Sequence, residues 1–189
     1  MPAGPRRERL IVLPDPALVV LVGPAGSGKT TFAAAHFAPA EILSSDAFRA
    51  IISGDEANQA ATRPAFSMLH RAVGRRLARG QLTVVDATNV QAHARRPLLA
   101  RAGAADVPAV ALVFDLPPGL VQSRNANRAS RMVDPGVVAG HLAMLRRTVD
   151  RGVIEREGFA AVFRVRSPNE VDAVRVERVP NTVPGAPYG

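Results

Sequence analysis

Ala17-Leu18-Val19-Val20-Leu21-Val22-Gly23-Pro24-Ala25-Gly26-Ser27-Gly28-Lys29-Thr30 carries two signals end to end. The first six residues are a continuous apolar, partly β-branched run, the composition of a strand buried on both faces. The last eight match the phosphate-binding pattern G-x-x-x-x-G-K-[ST], and Thr30 to Phe37 continues with helix-compatible residues. Strand, loop and helix in this order predict a nucleotide site. The glycines let the backbone turn its N–H groups toward phosphate oxygens, and the helix N-terminus adds favourable partial charge. Gly23, Ala25, Gly26, Ser27, Gly28, Lys29, Thr30 and Thr31 are the expected phosphate contacts, with the Thr30 hydroxyl also reaching a magnesium ion shared with the phosphates. Lys29 is the only lysine in the chain. A compact ammonium reaches between phosphates where a planar guanidinium cannot, which explains one lysine at this place among arginines.

Working outward, 189 residues at 47% hydrophobic composition can bury one sizeable core. The expected layout is an N-terminal extension over 1–16, a phosphate-loop domain over 17–179 and a flexible tail over 180–189. The absence of cysteine excludes a disulfide framework and a thiolate metal site, which suits a reducing cytoplasm. Arg6, Arg7 and Arg9 ahead of Leu10 to Val22 superficially resemble a secretion signal, but Asp15 between two prolines interrupts the run and its second half leads into the phosphate loop. No segment approaches the roughly 20 apolar residues of a membrane-spanning helix. The formal charge of +8 favours an anionic partner, although an arginine-rich composition is equally a mark of genome bias. Aromatic residues at 4% argue against an extended base-stacking platform and leave arginine to carry any nucleic-acid contact.

Strand and helix signals alternate along the rest of the chain. Strands are expected at Glu41–Ser44, Leu82–Val85, Val107–Phe114 and Ala160–Val165. Helices are expected at Asp46–Ile52, Pro64–Arg79, Gln91–Ala102, from near Gly119 to about Ser130, and Val137–Arg151. Such β-α repetition predicts an α/β fold, the three-layer sandwich of P-loop NTPases, with about five parallel strands, helices on both faces and an arginine-bearing helical lid. Ligands in such folds sit at the carboxyl ends of the strands.

Three charged constellations fall at those ends. Asp46 follows Ser44-Ser45, with Arg49 one helical turn later on the same face. That carboxylate either accepts the proton of an attacking hydroxyl or merely caps its helix. Asp86 ends the Leu82–Val85 strand where a second acidic residue near magnesium is expected, and Thr88 or Asn89 can cap the next helix. Arg124, Arg128 and Arg131 are spaced i, i+4 and i+7, which aligns three guanidinium groups on one helical face. Such a row is either a solvated basic face or part of a lid that closes on phosphates and excludes water.

The phosphate loop, Ser44-Ser45-Asp46-Ala47-Phe48-Arg49, Val85-Asp86-Ala87-Thr88-Asn89-Val90-Gln91 and Arg124-Asn125-Ala126-Asn127-Arg128 together resemble the kinase module of bacterial polynucleotide kinase-phosphatase, the RNA end-healing enzyme. Further similar stretches are Ala94-Arg95-Arg96-Pro97-Leu98 and Arg156-Glu157-Gly158-Phe159. The resemblance covers about Leu18 to Val174 and implies transfer of the γ-phosphate of ATP to the 5′-hydroxyl of DNA or RNA, with Mg2+. It implies Lys29 and Thr30 on phosphates and metal, Asp46 as general base, and Arg49 on the acceptor phosphate or the group in transfer. Arg124 and Arg128 become nucleotide and lid residues with Arg131 a companion, and Gln59 and Arg95 line the acceptor pocket. The related enzymes carry phosphatase and ligase-like domains on the same chain. A free-standing end-healing enzyme working with separate partners is one expectation here, a changed acceptor such as a sugar, nucleoside or antibiotic is another, and a non-catalytic ATP-gated binding module is a third.

Overall fold

The computed structural model describes residues 9–55, 59–128 and 132–181. In chain order they form β1 (Arg9–Asp15), β2 (Leu18–Val22), α1 (Lys29–His36), β3 (Ile42–Ser44), α2 (Ser45–Ser53), α3 (Thr62–Leu77), β4 (Thr83–Asp86) and α4 (Ala92–Ala104). The remaining elements are β5 (Ala109–Phe114), α5 (Pro118–Ala126), α6 (Pro135–Asp150), β6 (Ala161–Val165), α7 (Pro168–Asp172) and β7 (Val174–Pro180).

Five strands form a parallel sheet in the order β3-β4-β2-β5-β6. All five residues of β2 are buried, as its unbroken apolar run requires. The pleat sends alternate residues to opposite faces and so divides the core in two. Leu18, Val20 and Val22 pack with Leu69 and Val73 of α3, Leu98 of α4 and Leu145 of α6. Val19 and Leu21 pack with Phe32 of α1, Leu112 and Phe114 of β5, and Ile11 and Leu13 of β1. The three-layer α/β fold expected from the alternation is the fold observed.

The stretch before residue 17, expected as an extension, contains β1, which pairs in parallel with β7 from Arg9↔Val174 to Asp15↔Pro180. Ile11 and Leu13 are fully buried while Leu10 and Val12 are exposed. The expected tail begins inside β7, whose last residue is Pro180, and residues 182–189 lie outside the described residues.

The arginine-bearing helix is shorter than its spacing predicts. α5 stops at Ala126 because Asn125 turns its side chain onto the following segment: its Nδ2 donates to the Val133 carbonyl at 2.7 Å and its Oδ1 accepts from the Val133 N–H at 3.2 Å. Arg128 therefore lies beyond the helix end, and the expected single helical row of arginines is not formed. Arg131 lies outside the described residues.

Candidate functional site

One cavity of ≈ 920 Å³ collects the segments that follow the carboxyl ends of the strands. After β2, the loop to α1 closes under tight steric limits. Gly26 has φ +81, and a Cβ there would lie 2.5 Å from the Val121 carbonyl oxygen of α5, so both backbone conformation and packing demand glycine. The α1 N-cap, Gly28, supplies no side-chain bond, and the first turn holds no acid. The first N–H groups of α1 are thus left for an anion in the cavity. Ala25, Gly26, Gly28, Lys29, Thr30 and Thr31 line it. Gly23 and Ser27 shape the loop instead: Gly23 packs against Ser27 and Phe114, and Ser27 is fully buried.

The Lys29 ammonium donates to the Pro24 carbonyl at 2.8 Å and to Ser27 Oγ at 3.4 Å. Burial lowers its pKa from 10.5 to about 8; Asp86 opposes the shift and Arg128 adds to it. A cation held at such cost suits an anionic ligand. Next to it, Thr30 Oγ1 donates to Asp86 Oδ2 at 2.7 Å, so the two residues expected near a metal meet across the β2–β4 junction. Among the described residues no group of three or more His, Cys, Asp or Glu could hold a metal ion. Two hard oxygen donors beside a phosphate loop fit magnesium, which retains water and takes much of its coordination from substrate phosphates.

To the same cavity, α2 presents Asp46 and Arg49. Ser44 is the N-cap of α2, with its Oγ accepting from the N–H groups of Asp46 and Ala47. Asp46 stands inside the first turn and is ion-paired with Arg49. The Arg49 side chain is only 7% exposed and that of Asp46 32%, so the guanidinium is fixed below a carboxylate that reaches the cavity. Arg124 and Arg128 line the wall contributed by α5 and the residues just past it.

The β4–α4 loop is latched to the phosphate loop. Gly23 N–H donates to the Thr88 carbonyl at 2.9 Å, and Asn89 Nδ2 donates to the Leu21 carbonyl at 2.8 Å. Neither Thr88 nor Asn89 caps α4, whose N-cap is Gln91 without a side-chain bond. Arg95, expected in the acceptor pocket, is a correction. It is fully buried, its Nε and Nη2 each donate to Glu157 at 2.6 Å, and its Nη1 donates to the Asn89 carbonyl at 2.7 Å. A guanidinium committed through three hydrogen bonds to Glu157 and Asn89 does not line the cavity. The Gln59 side chain lies outside the described residues.

Several lining residues had no motif to mark them. Phe66, spaced like a core residue of α3, is half-buried and reaches the cavity, where Thr62 and His93 also contribute. His141 enters from α6; its Nδ1 is buried without a hydrogen-bond partner, and burial, then Lys29, lowers its pKa. Val171 and Asp172 of α7 also line the cavity. Among the described residues no helix is long and apolar enough to cross a membrane.

No curated protein matches the chain in sequence. Among solved structures, a chain of the Pnkp1/Rnl/Hen1 RNA repair complex is similar, at TM-score 0.63 and 22% identity over 74% of this chain and 47% of that one. This chain thus spans about half the length of that relative. A gluconokinase from Sinorhizobium meliloti 1021 gives TM-score 0.51 and 19% identity, covering 85% of this chain and 87% of that chain. The Mycobacterium tuberculosis APS kinase CysC gives TM-score 0.51 and 16% identity over 85% and 95% of the two chains. At these identities the likeness shows a shared fold, that of phosphate-loop kinases. A family model described as an AAA domain matches residues 18–152, most of the chain, and the chain belongs to that family.

Proposed function

We propose that this protein is an ATP-dependent polynucleotide kinase that transfers the γ-phosphate to the 5′-hydroxyl of a DNA or RNA end. The observation that supports this best is that Asp46 and Arg49 line the same cavity as Lys29, Thr30, Arg124 and Arg128, while Ser44 and not Asp46 caps α2. In this reading, Lys29 and the α1 N-terminus hold the phosphates, and Arg124, whose guanidinium lies beside Gly28, and Arg128 add positive charge next to them. Thr30 and Asp86 would hold a magnesium ion, whose chemistry is to neutralise charge on the phosphates. Asp46 accepts the proton of the acceptor hydroxyl as its oxygen bonds to the γ-phosphorus and the bond to the β–γ bridging oxygen breaks. Arg49 holds Asp46 in place and faces the anionic group of the acceptor. Resemblance to a chain of an RNA repair complex supports separate end-healing partners as part of the same reading.

The test is transfer of labelled phosphate from ATP to 5′-hydroxyl oligonucleotides. Asp46→Asn should lower transfer by about 10²–10⁴-fold, the usual contribution of a general base, with ATP affinity retained. Absence of transfer to DNA and RNA of every length tried would eliminate the proposal. A small-molecule hydroxyl is the second reading, and one observation favours it. Among the described residues that line the cavity, Thr62, Phe66, Val90, Gln91, His93 and Ala94 carry no permanent cation. Activity on such an acceptor should be insensitive to salt that weakens oligonucleotide binding.

A further inference from the structure

The two outlying stretches that resemble the end-healing kinases, 94–98 and 156–159, meet in the Arg95–Glu157 ion pair. Arg95 is fully buried and the Glu157 side chain is 11% exposed. A pair withdrawn from water stabilises a fold little better than apolar residues of equal volume, so its distinctive contribution is geometric. Its third bond, to the Asn89 carbonyl, ends on a residue held in the left-handed region at φ 48. From Asn89 the connections run inward. Its amide holds the Leu21 carbonyl, the neighbouring Thr88 carbonyl takes the Gly23 N–H, and three residues earlier Asp86 meets Thr30.

We infer that Arg95 is a positioning residue for the Asp86–Gln91 segment: through the Asn89 carbonyl it fixes where Asp86 meets Thr30, and thereby how strongly that pair takes up a phosphate-bound magnesium ion. This rests on the nucleotide and magnesium site proposed above. Arg95 itself contacts neither ligand. Without its fork, Asn89 can leave the left-handed conformation, and the latch between the β4–α4 loop and the phosphate loop loosens.

The double variant Arg95→Met with Glu157→Leu removes both charges together and so avoids stranding one of them. Calorimetry of ATP binding, with and without magnesium, provides a readout independent of any acceptor. The variant should melt near the wild type and bind ATP in excess chelator as the wild type does, yet need roughly tenfold more magnesium for half-maximal enhancement, the scale on which supporting hydrogen bonds tune metal sites. Arg95→Lys keeps a cation against Glu157 but cannot serve three acceptors, and should show the same shift if the double variant does not fold. An unchanged magnesium requirement in a folded variant overturns the inference, as does an equal loss of binding with and without magnesium. A wild-type protein that binds no ATP in the presence of magnesium refutes the proposed nucleotide site instead.

Discussion

Lys29 sits in a place that costs the empty protein stability, and Lys29→Met exposes that cost. Holding an ammonium whose pKa has dropped from 10.5 to about 8 disfavours the folded state by about 3 kcal/mol while the group is charged. Removing it also removes the bond to the Pro24 carbonyl, a charged hydrogen bond contributing about 1.5–3 kcal/mol. At pH 7 the nucleotide-free variant should therefore equal the wild type or exceed it by about 1 kcal/mol, although it loses ATP binding. The pH dependence is sharper. Below pH 8 the lysine is protonated in both folded and unfolded chains, and the full cost is present. Between about 8 and 10.5 the folded protein releases the proton while the unfolded chain keeps it, so wild-type stability rises with pH relative to the variant. Urea unfolding of both proteins from pH 7 to 10.5 measures the difference. All other titrating groups are common to the two proteins, so their contributions cancel in the difference. A stability difference that stays flat across this window, or a variant several kcal/mol weaker at pH 7, would refute the assignment of a buried ammonium.

Ser44→Ala removes the α2 cap and should cost about 1 kcal/mol in thermal or urea unfolding with little change in transfer rate, the converse of Asp46→Asn. Gly26→Ala drives a methyl group into the Val121 carbonyl at a backbone angle that L-residues disfavour, and should lower stability by about 1–3 kcal/mol and abolish ATP binding, read by melting and calorimetry. Asn125→Leu leaves the Val133 N–H and carbonyl without their partner; unfolding should show a loss of about 1–3 kcal/mol, with weaker ATP binding as Arg124 and Arg128 lose their support.

The central sheet and the phosphate loop were legible because their signals are local. An apolar run of strand length and a glycine pattern with one lysine each specify their own backbone. The Thr30–Asp86 contact was inferable as well, since Asp86 ends β4 and Thr30 opens the helix that follows the neighbouring β2. What could not be read depends on partners far along the chain. β1 is recognisable only through β7, and the alternation of Leu10 to Leu13 is too short to stand alone. The end of α5 is set by an asparagine bonding eight residues ahead, which helical spacing cannot anticipate. The resemblance puts Arg95 in the acceptor pocket, whereas Glu157, sixty-two positions away, claims its guanidinium. His141 carries no motif and reaches the site only through the packing of α6.

The parallel pairing of β1 with β7 has a consequence for synthesis on the ribosome. Among the described strands β1 is made first, yet its hydrogen-bonding partner β7 is made last. Throughout translation of the intervening sheet and helices, Leu10 to Leu13 is an apolar segment with open backbone groups, the kind of sequence that invites pairing with other nascent chains. The flanking Arg9 and Asp15 place a charge at each end of that segment, so it waits for its partner behind two gatekeepers.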